Sequence, residues 1–320
     1  MATSKRSLPI VTPGQRPAYA SHIERAVAKL ADADPAKLRL RASTTSKVAV
    51  GIKLGWSIPA GPEYACPGAT ADCRSCYAQQ GRFAFSAEVA SLMVENWFRF
   101  RHLEATVSVA EAASELANSV VSNALAVFRI HVSGDFHSQW AVDVWADVVR
   151  RRPHIKFWTY TRSFKLDFSG LIALPNMRLY ASTDSQNLRE AQAFIRTHGK
   201  RVAHAFGPYT PGAKLPANSV ECPPTLDKYR QELAPGTEEF GHEGACVECK
   251  KCIPYKSNPR PLNIVFYPHE RSQATTGYSE EDLGAAPRAQ PTASLAVTLH
   301  APGLSYDGCS ENDGDPIHFP

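Results

Sequence analysis

The sequence lacks several features that would place it in a common class. None of its 320 residues lies in an apolar run as long as a membrane-spanning helix, so we expect no membrane partner. Residues 1–19 include basic side chains but not the apolar core of a secretory signal, which favours the cytoplasm. The formal net charge of +4 is too small to indicate nucleic-acid binding by itself.

A disulfide framework is also missing, although cysteine is present. Seven of the eight cysteines fall into two tight groups, which is typical of metal sites in a reducing compartment. Cys309 lies outside both groups. The grouped residues are, in the first group, Cys66, Cys73 and Cys76, and in the second group, Cys222, Cys246, Cys249 and Cys252.

The first group occupies a loop, because Pro67 and Gly68 interrupt regular structure there. Six residues and then two separate its cysteines, so the three thiolates can converge on one metal centre. A closed structural zinc site needs four protein ligands. A four-iron cluster held by three cysteines instead leaves one iron free for a small molecule. We therefore predict an open [4Fe–4S] cluster here, with a zinc knuckle completed by a distant cysteine or histidine as the alternative.

The second group has the spacing of a ferredoxin ligand run. Cys246, Cys249 and Cys252 follow the pattern C-x2-C-x2-C, and Pro254 comes shortly after them. Cys222 supplies a fourth thiolate. Zinc ribbons normally use two separated pairs of ligands, so the triplet favours a second [4Fe–4S] cluster over structural zinc.

Strands and helices alternate along most of the chain. The pattern predicts strands at 48–54, 126–132, 155–161, 177–182, 201–206 and 262–267. Helices are predicted between them, with serine N-caps at Ser21, Ser86, Ser108 and Ser138. Short connections in such a rhythm imply a parallel sheet with right-handed crossovers. An incomplete barrel and an open doubly wound sheet both fit this rhythm.

The expected fold class is α/β, a parallel-sheet partial (β/α)6-type TIM-like barrel with a cysteine-rich metal-binding insert or C-terminal extension. The expected divisions are an N-terminal arm and helix at 1–45, the partial barrel with the three-cysteine loop at 46–210, the second cysteine region with the last strand at 211–270, and a weakly structured tail at 271–320.

Polar side chains follow several of the predicted strands. In either sheet arrangement, ligands gather at the carboxyl ends of parallel strands. Ser, Thr and Asp also favour turns and caps, so each position alone carries little weight. The residues at these ends are Ser133, Asp135, Thr161, Arg162, Ser182 and Asp184.

These motifs resemble the phage and plasmid "gene product 88" family over roughly residues 45–270. The resemblance lies in the cysteine loop that ends at 73–78, the sequence Ser-Gly-Asp-Phe at 133–136, and the late cysteine group. More distantly, the cysteine loop, the sheet rhythm and the strand-end motif resemble radical S-adenosylmethionine (radical SAM) enzymes.

The radical SAM resemblance implies a cofactor and a role for particular positions. The open iron of the cluster on the first cysteine group would bind S-adenosylmethionine, and an electron donor such as flavodoxin or ferredoxin would be a partner. The resemblance places Ser133, Gly134 and Asp135 in the motif that holds the cofactor's amino group. Thr161, Ser182 and Asp184, at the other strand ends, complete the set of expected cofactor-binding residues. The chain departs from the usual motif in its longer first spacing and in having Ser75 where an aromatic residue is usual.

Two hypotheses of function follow. In the first, the protein is an iron–sulfur enzyme that reductively cleaves S-adenosylmethionine and modifies an unknown substrate by radical chemistry. In the alternative, it is a non-catalytic zinc protein whose cysteines staple loops and whose basic segment 37–47 contacts a nucleic acid.

Overall fold

A computed structural model of the chain describes most residues between 17 and 267. The described residues are 17–43, 54–71, 73, 76–79, 83, 86–121, 126–210, 212–222, 225, 246, 249–255 and 259–267. All of them belong to one compact unit, Met1–Ala289. The predicted tail and the first part of the predicted arm lie outside the described residues.

Seven parallel strands form one sheet in the order β1-β2-β3-β4-β5-β7-β6. Within the described residues the edge strands β1 and β6 do not pair with each other, so the sheet is open. The chain is therefore α/β with an all-parallel sheet, as the sequence predicts. The strands are β1 (Gly55–Ser57), β2 (Val127–Ser133), β3 (Lys156–Thr161), β4 (Met177–Thr183), β5 (Val202–Phe206), β6 (Ser219–Glu221) and β7 (Asn263–Val265).

Helices precede and separate the strands. No helix in the described part of the chain is long and apolar enough to cross a bilayer. The helices are α1 (Pro17–Lys29), α2 (Ala87–Thr106), α3 (Val109–Ser119), α4 (Gln139–Arg151), α5 (Ser169–Ile172) and α6 (Leu188–His198).

Three of the four predicted serine caps are confirmed. Ser86 accepts a hydrogen bond from the Val89 amide and Ser138 from the Ala141 amide, each at 3.3 Å. Ser108 forms the predicted reciprocal capping box. The fourth prediction is wrong, because α1 begins at Pro17 and therefore contains Ser21. Proline suits a first helical position, where its missing N–H leaves no bond unmade.

Five strand predictions are confirmed to within two residues at each end, namely those for β2, β3, β4, β5 and β7. The prediction of a strand at 48–54 is wrong where it can be compared, because Leu54 precedes β1. The rest of that range lies outside the described residues. Strand β6 was not predicted, since three residues are too few to show an alternating pattern.

The sheet is covered on both faces, as parallel sheets usually are. On one face, Phe128 packs against Trp145 of α4 and against Phe157, with ring centroids 6.0 and 5.9 Å apart. On the other face, Tyr160 packs against Tyr180 at 5.4 Å. We call this second face, which carries Arg129, Tyr160 and Tyr180, the tyrosine face.

A bulge interrupts β2 beside β1. Gly55 lies opposite Arg129 and Ser57 lies opposite Ser133, so two steps along β1 correspond to four along β2. His131, in the middle of that stretch, has a φ of +54°. A bulge turns the following side chains to new directions, and such irregularities recur beside functional sites. Here it sets the orientation of the strand end that carries the Ser-Gly-Asp motif.

The His131 imidazole is 3% exposed and packs against Phe136, with ring centroids 4.6 Å apart. Neither ring nitrogen has a hydrogen-bond partner among the described residues. Burial, with His137 nearby, lowers the pKa of His131 to about 3. In the folded protein the ring is therefore neutral at neutral pH.

This environment predicts an acid-sensitive contribution to stability. An unfolded chain protonates a histidine near pH 6.5, so below that pH the unfolded state binds more protons and is favoured. The contribution of His131 is complete above about pH 6.5 and is lost as the pH falls towards about 3. His131→Asn should reduce the loss of unfolding free energy between about pH 7 and pH 5 by about 2 kcal/mol, measured by denaturant unfolding.

Asparagine is chosen because it tolerates a positive φ better than most residues. His154→Asn makes the same chemical change at an exposed position and should keep the wild-type pH dependence. An unchanged pH dependence in His131→Asn would contradict the assignment.

Candidate functional site

The site is assembled where the first cysteine loop crosses the carboxyl ends of β2, β3 and β4. Gly68 lies so close to Arg162 that a Cβ atom at Gly68 would overlap the Arg162 carbonyl. Gly134 has a φ of +83°, and a Cβ there would approach the Ile58 side chain to 2.5 Å. Both positions therefore require glycine, one for close approach and the other also for its backbone conformation.

Asp135 ties the end of β2 to the end of β3. Its carboxylate accepts hydrogen bonds at 2.7 Å from the Thr161 hydroxyl, the Arg162 amide and the Phe136 amide. Burial raises the pKa of Asp135 to about 6 in spite of these bonds. The carboxylate is therefore largely occupied by groups of the protein itself.

Asp184 performs the same task for the cysteine loop and β4. Its Oδ2 accepts a hydrogen bond from the Thr70 hydroxyl at 2.6 Å and forms an ion pair with Arg162. Its Oδ1 accepts bonds from the amides of Gln186 and Asn187 at 2.9 and 3.1 Å. Because Asp184 is fully buried, this network fixes the cysteine loop against the sheet.

Backbone N–H groups of the loop region are directed at all three sulfurs of the first cysteine group. Such donors stabilise sulfur in its anionic form, and hydrogen bonds to sulfur tune iron–sulfur clusters. The pairs are Gly61 to Cys66 at 3.4 Å, Thr70 to Cys73 at 3.4 Å, and Ala78 and Gln79 to Cys76.

These thiols are near neighbours inside the protein. Burial raises the pKa of Cys66, and burial followed by the proximity of Cys73 raises the pKa of Cys76 to about 11. Each cysteine nevertheless keeps part of its surface uncovered. For Cys66 and Cys76 the neutral thiol is therefore the stable form in the absence of a cation that would compensate the thiolate charge.

The second cysteine group lies over the tyrosine face. The Tyr180 hydroxyl donates to the Lys251 carbonyl at 3.2 Å, which holds the segment 249–255 against the sheet. Cys252 is hydrogen-bonded to Tyr160, and burial followed by the proximity of Cys222 raises the pKa of its thiol. The fold thus brings Cys222, which directly follows β6, to the late triplet.

Among the described residues, no three Cys, His, Asp or Glu side chains form a ready-made metal site. Within each group, however, the thiols lie close enough for the charge of one to affect the pKa of another.

The strand-end residues predicted as a cofactor site all lie at this edge. Ser133 has an enclosed hydroxyl with no hydrogen-bond partner among the described residues, and Ser182 is half-buried. Asp135, Thr161 and Asp184 are buried, and their polar groups are engaged with one another and with the backbone. Ser133 and Ser182 thus remain the side chains with hydrogen-bonding capacity for a ligand.

Sequence reasoning missed three residues of the site, Thr70, Tyr77 and Arg129. Arg129 could have been found, since it is a single cation inside an apolar strand, and charged residues are rarely buried without a partner. Nothing in the local sequence distinguishes Thr70 or Tyr77 from ordinary loop residues, because their partners come from distant parts of the chain.

Comparison with known proteins identifies relatives of the chain. A sequence profile described as "Gene product 88" matches residues 25–255, a range that includes both cysteine groups. The chain is 30% identical over 216 residues to the "Gene 88 protein" of Mycobacterium phage L5, covering 65% of this chain and 86% of the relative. The "Gene 88 protein" of Mycobacterium phage D29 is 31% identical over 211 residues, covering 64% and 84%. No solved structure matches the chain.

The close approach of Gly68 to β3 predicts a strong effect of a small substitution. Gly68→Ala should lower the free energy of unfolding by about 1–3 kcal/mol, because the added methyl group collides with backbone rather than with a flexible side chain. The midpoint and slope of denaturant unfolding measure this change.

Gly170→Ala is the matched control, since a Cβ there meets nothing within 4 Å and the position lies in a helix. It should leave stability unchanged or raise it by up to about 1 kcal/mol. Equal effects of the two substitutions would show that the loop does not rest on β3 as described.

Proposed function

We propose that this chain, which belongs to the gene product 88 family, is an iron–sulfur enzyme that reductively cleaves S-adenosylmethionine and modifies a substrate by radical chemistry. The proposal places an open [4Fe–4S] cluster on the first cysteine group and S-adenosylmethionine beside it at the strand ends.

The observation that carries the proposal is the set of N–H donors directed at all three sulfurs of the first group. A loop that supplies backbone donors to three neighbouring sulfurs is suited to hold them as thiolates. Thiolates are the protein ligands of iron–sulfur clusters, and hydrogen bonds to them set the reduction potential. The donor set therefore fits the cluster.

The number of thiols in the first group favours a cluster over structural zinc. A structural zinc site is closed by four protein ligands, and this loop supplies three thiols. Among the described residues, the carboxylates of Asp135 and Asp184 at this edge are occupied by protein donors. A centre with one position open to a small molecule fits this arrangement better.

The strand ends supply the cofactor's binding groups. A cluster held by Cys66, Cys73 and Cys76 would supply the one electron needed for reductive cleavage of S-adenosylmethionine, and so for abstraction of hydrogen from the substrate. Ser133 and Ser182 offer hydroxyl groups, and Gly134 permits close approach of the backbone. Asp135 and Thr161 hold the strand ends in place, and a rigid frame of this kind keeps reacting groups aligned.

Asp184 has the corresponding role on the loop side, where it holds Thr70 and Arg162. Burial and the proximity of Cys73 raise the pKa of Cys76 overall, and the positive charge of Arg162 offsets part of this rise. The same network thus supports both the position and the anionic form of a thiol ligand.

The second cysteine group would hold a second [4Fe–4S] cluster, with zinc as the alternative metal. The other three cysteines of the group lie close enough to Cys252 to add to the effect of burial on its pKa, and Tyr160 donates a hydrogen bond to Cys252. Such a set of thiols suits either metal. If the second group holds a cluster, that cluster passes on electrons from a donor such as flavodoxin or ferredoxin. The proposed location of the enzyme is the cytoplasm.

The architecture that supports this chemistry would be a partial TIM-like barrel. An open, all-parallel sheet whose tyrosine face is lined by aromatic side chains and covered by the segment 249–255 is consistent with a barrel interior. Functional groups at the carboxyl ends of its strands agree with the usual placement of sites in such folds.

Metal analysis tests the proposal directly. Protein purified without oxygen should be brown and contain iron and acid-labile sulfide for two clusters, with little zinc. Cys73→Ala should remove one cluster and Cys249→Ala the other, because each substitution deletes one thiolate ligand. Iron, sulfide and zinc contents together with the visible spectrum give the result.

Cys309→Ala is the control, since Cys309 lies outside both groups in the sequence, and it should retain both clusters. Colourless protein with about two zinc ions would instead establish the structural zinc alternative.

A spectroscopic experiment tests the cofactor. S-adenosylmethionine should change the electron paramagnetic resonance spectrum of the reduced first cluster, because its amino and carboxylate groups would replace solvent at the open iron. Ser133→Ala should weaken this change without altering the iron content, since the Ser133 hydroxyl at the strand end has no hydrogen-bond partner among the described residues.

Ser219→Ala is a matched control, because the Ser219 hydroxyl on β6 likewise has no partner among the described residues. It should leave the response to the cofactor unchanged. An unperturbed spectrum at saturating cofactor, on protein with both clusters intact, would remove the radical-enzyme proposal and leave an iron–sulfur protein of another kind.

A further inference from the structure

The guanidinium of Arg129 lies between two tyrosine rings on the tyrosine face. Its Cζ atom is 5.5 Å from the ring centroid of Tyr77 and 5.1 Å from that of Tyr160. Its Nη2 donates a hydrogen bond to the Tyr77 hydroxyl at 2.6 Å, and that hydroxyl donates to the Val132 carbonyl. The guanidinium is therefore held in one orientation by two aromatic rings and a hydrogen-bond chain.

Each of these tyrosines adjoins one cysteine group. Tyr77 directly follows Cys76 in the chain, and the Tyr160 hydroxyl is hydrogen-bonded to Cys252. The positive charge of Arg129 thus lies between the two groups of thiols.

Among the described residues, no carboxylate forms an ion pair with Arg129, and its Nε is enclosed without a hydrogen-bond partner. Two other half-buried arginines have carboxylate partners, Glu115 for Arg99 and Asp184 for Arg162. A cation removed from water is costly unless an anion compensates it. Within the described part of the chain, the charge of Arg129 is therefore not compensated by a carboxylate.

Arg129 is not completely enclosed. Arg129, Tyr77, Tyr160 and Cys252 are each half-buried, so all four keep some uncovered surface although they lie against the sheet. Part of the cation therefore stays accessible between the two cysteine groups.

We propose that the accessible part of the Arg129 guanidinium binds the anionic group of a small-molecule ligand, a carboxylate or a phosphate. The planar fork of an arginine presents parallel N–H donors that match the oxygen atoms of such groups. Tyr77 and Tyr160 hold the fork and flank the ligand. The binding site rests on the geometry alone, and its role as the substrate site rests on the proposed function.

Thiolates of Cys246 and Cys252 are the competing partners, because the charge of Arg129 also reaches them. The two assignments differ in one respect. If Arg129 pairs with the thiolates, its charge should stabilise the protein in the absence of any small anion. If Arg129 binds an external ligand, its charge should stabilise the protein only when that ligand is present.

The test uses the full chain, as purified without oxygen, with inorganic phosphate and acetate as probes against chloride at equal ionic strength. At least one probe should raise the melting temperature of the wild type in a saturable way. Arg129→Met should bind that probe at least about tenfold more weakly, because the charged donor is gone. Without the probe, Arg129→Met should melt at the same temperature as the wild type or higher.

Two further variants complete the design. Arg129→Lys keeps the charge but loses the fork, and should retain only part of the shift. Lys156→Met removes a cation that lies over the Tyr255 ring at 5.0 Å, and should keep the full shift.

Three results would overturn the inference. The first is that neither probe raises the melting temperature in a saturable way, and the second is an equal rise in the wild type and in Arg129→Met. The third is that Arg129→Met loses stability and the metal of the second cysteine group without any probe, which would assign Arg129 to the thiolates. Iron and sulfide contents are measured on the same samples. Protein without iron but with an Arg129-dependent shift would reject the proposed enzyme and keep the anion site.

Discussion

Two buried carboxylates at the carboxyl edge of the sheet hold the candidate site together. A carboxylate withdrawn from water must be surrounded by donors, and Asp135 and Asp184 meet that requirement with groups from different parts of the chain. Arg162 contributes to both, through its amide at Asp135 and its guanidinium at Asp184. The need to satisfy these charges therefore connects β2, β3, β4 and the cysteine loop in one network.

The two faces of the sheet divide the remaining tasks. Packing of α4 against one face buries large aromatic side chains and anchors the strands. The tyrosine face instead combines aromatic rings with a cation and the late cysteines. Tyr180 is fully buried there, whereas Arg129, Tyr160 and the cysteines are half-buried. The bulge at His131 lies in the strand that serves both faces and sets the orientation of the strand end. The stable packing and the reactive groups are thus separated by a single layer of strands.

Much of the framework follows from local sequence. The β2–β5 strands and the caps at Ser86, Ser108 and Ser138 were predictable, because apolar runs and capping chemistry depend on near neighbours. The grouping of the strand-end residues at one edge also followed, once the sheet was taken as parallel. The partners of Asp135 and Asp184 were not predictable, since Thr70 lies 114 positions away from the carboxylate it bonds. Likewise, β6 has too few residues to show a pattern. The surroundings of Arg129 were not predictable either, because Tyr77 and Tyr160 come from other parts of the chain.

The order of the strands has a consequence for how the protein is made. Strand β7 pairs with β5 on one side and with β6 on the other, so β6 has no neighbour in the sheet until Asn263–Val265 has left the ribosome. Cys222 is held at that edge by the hydrogen bond that its backbone amide donates to the Val265 carbonyl. During synthesis the first cysteine loop and β2–β5 can therefore assemble well before the second cysteine group is complete. Maturation of the two groups should consequently be sequential, with the second limited by insertion of the last strand.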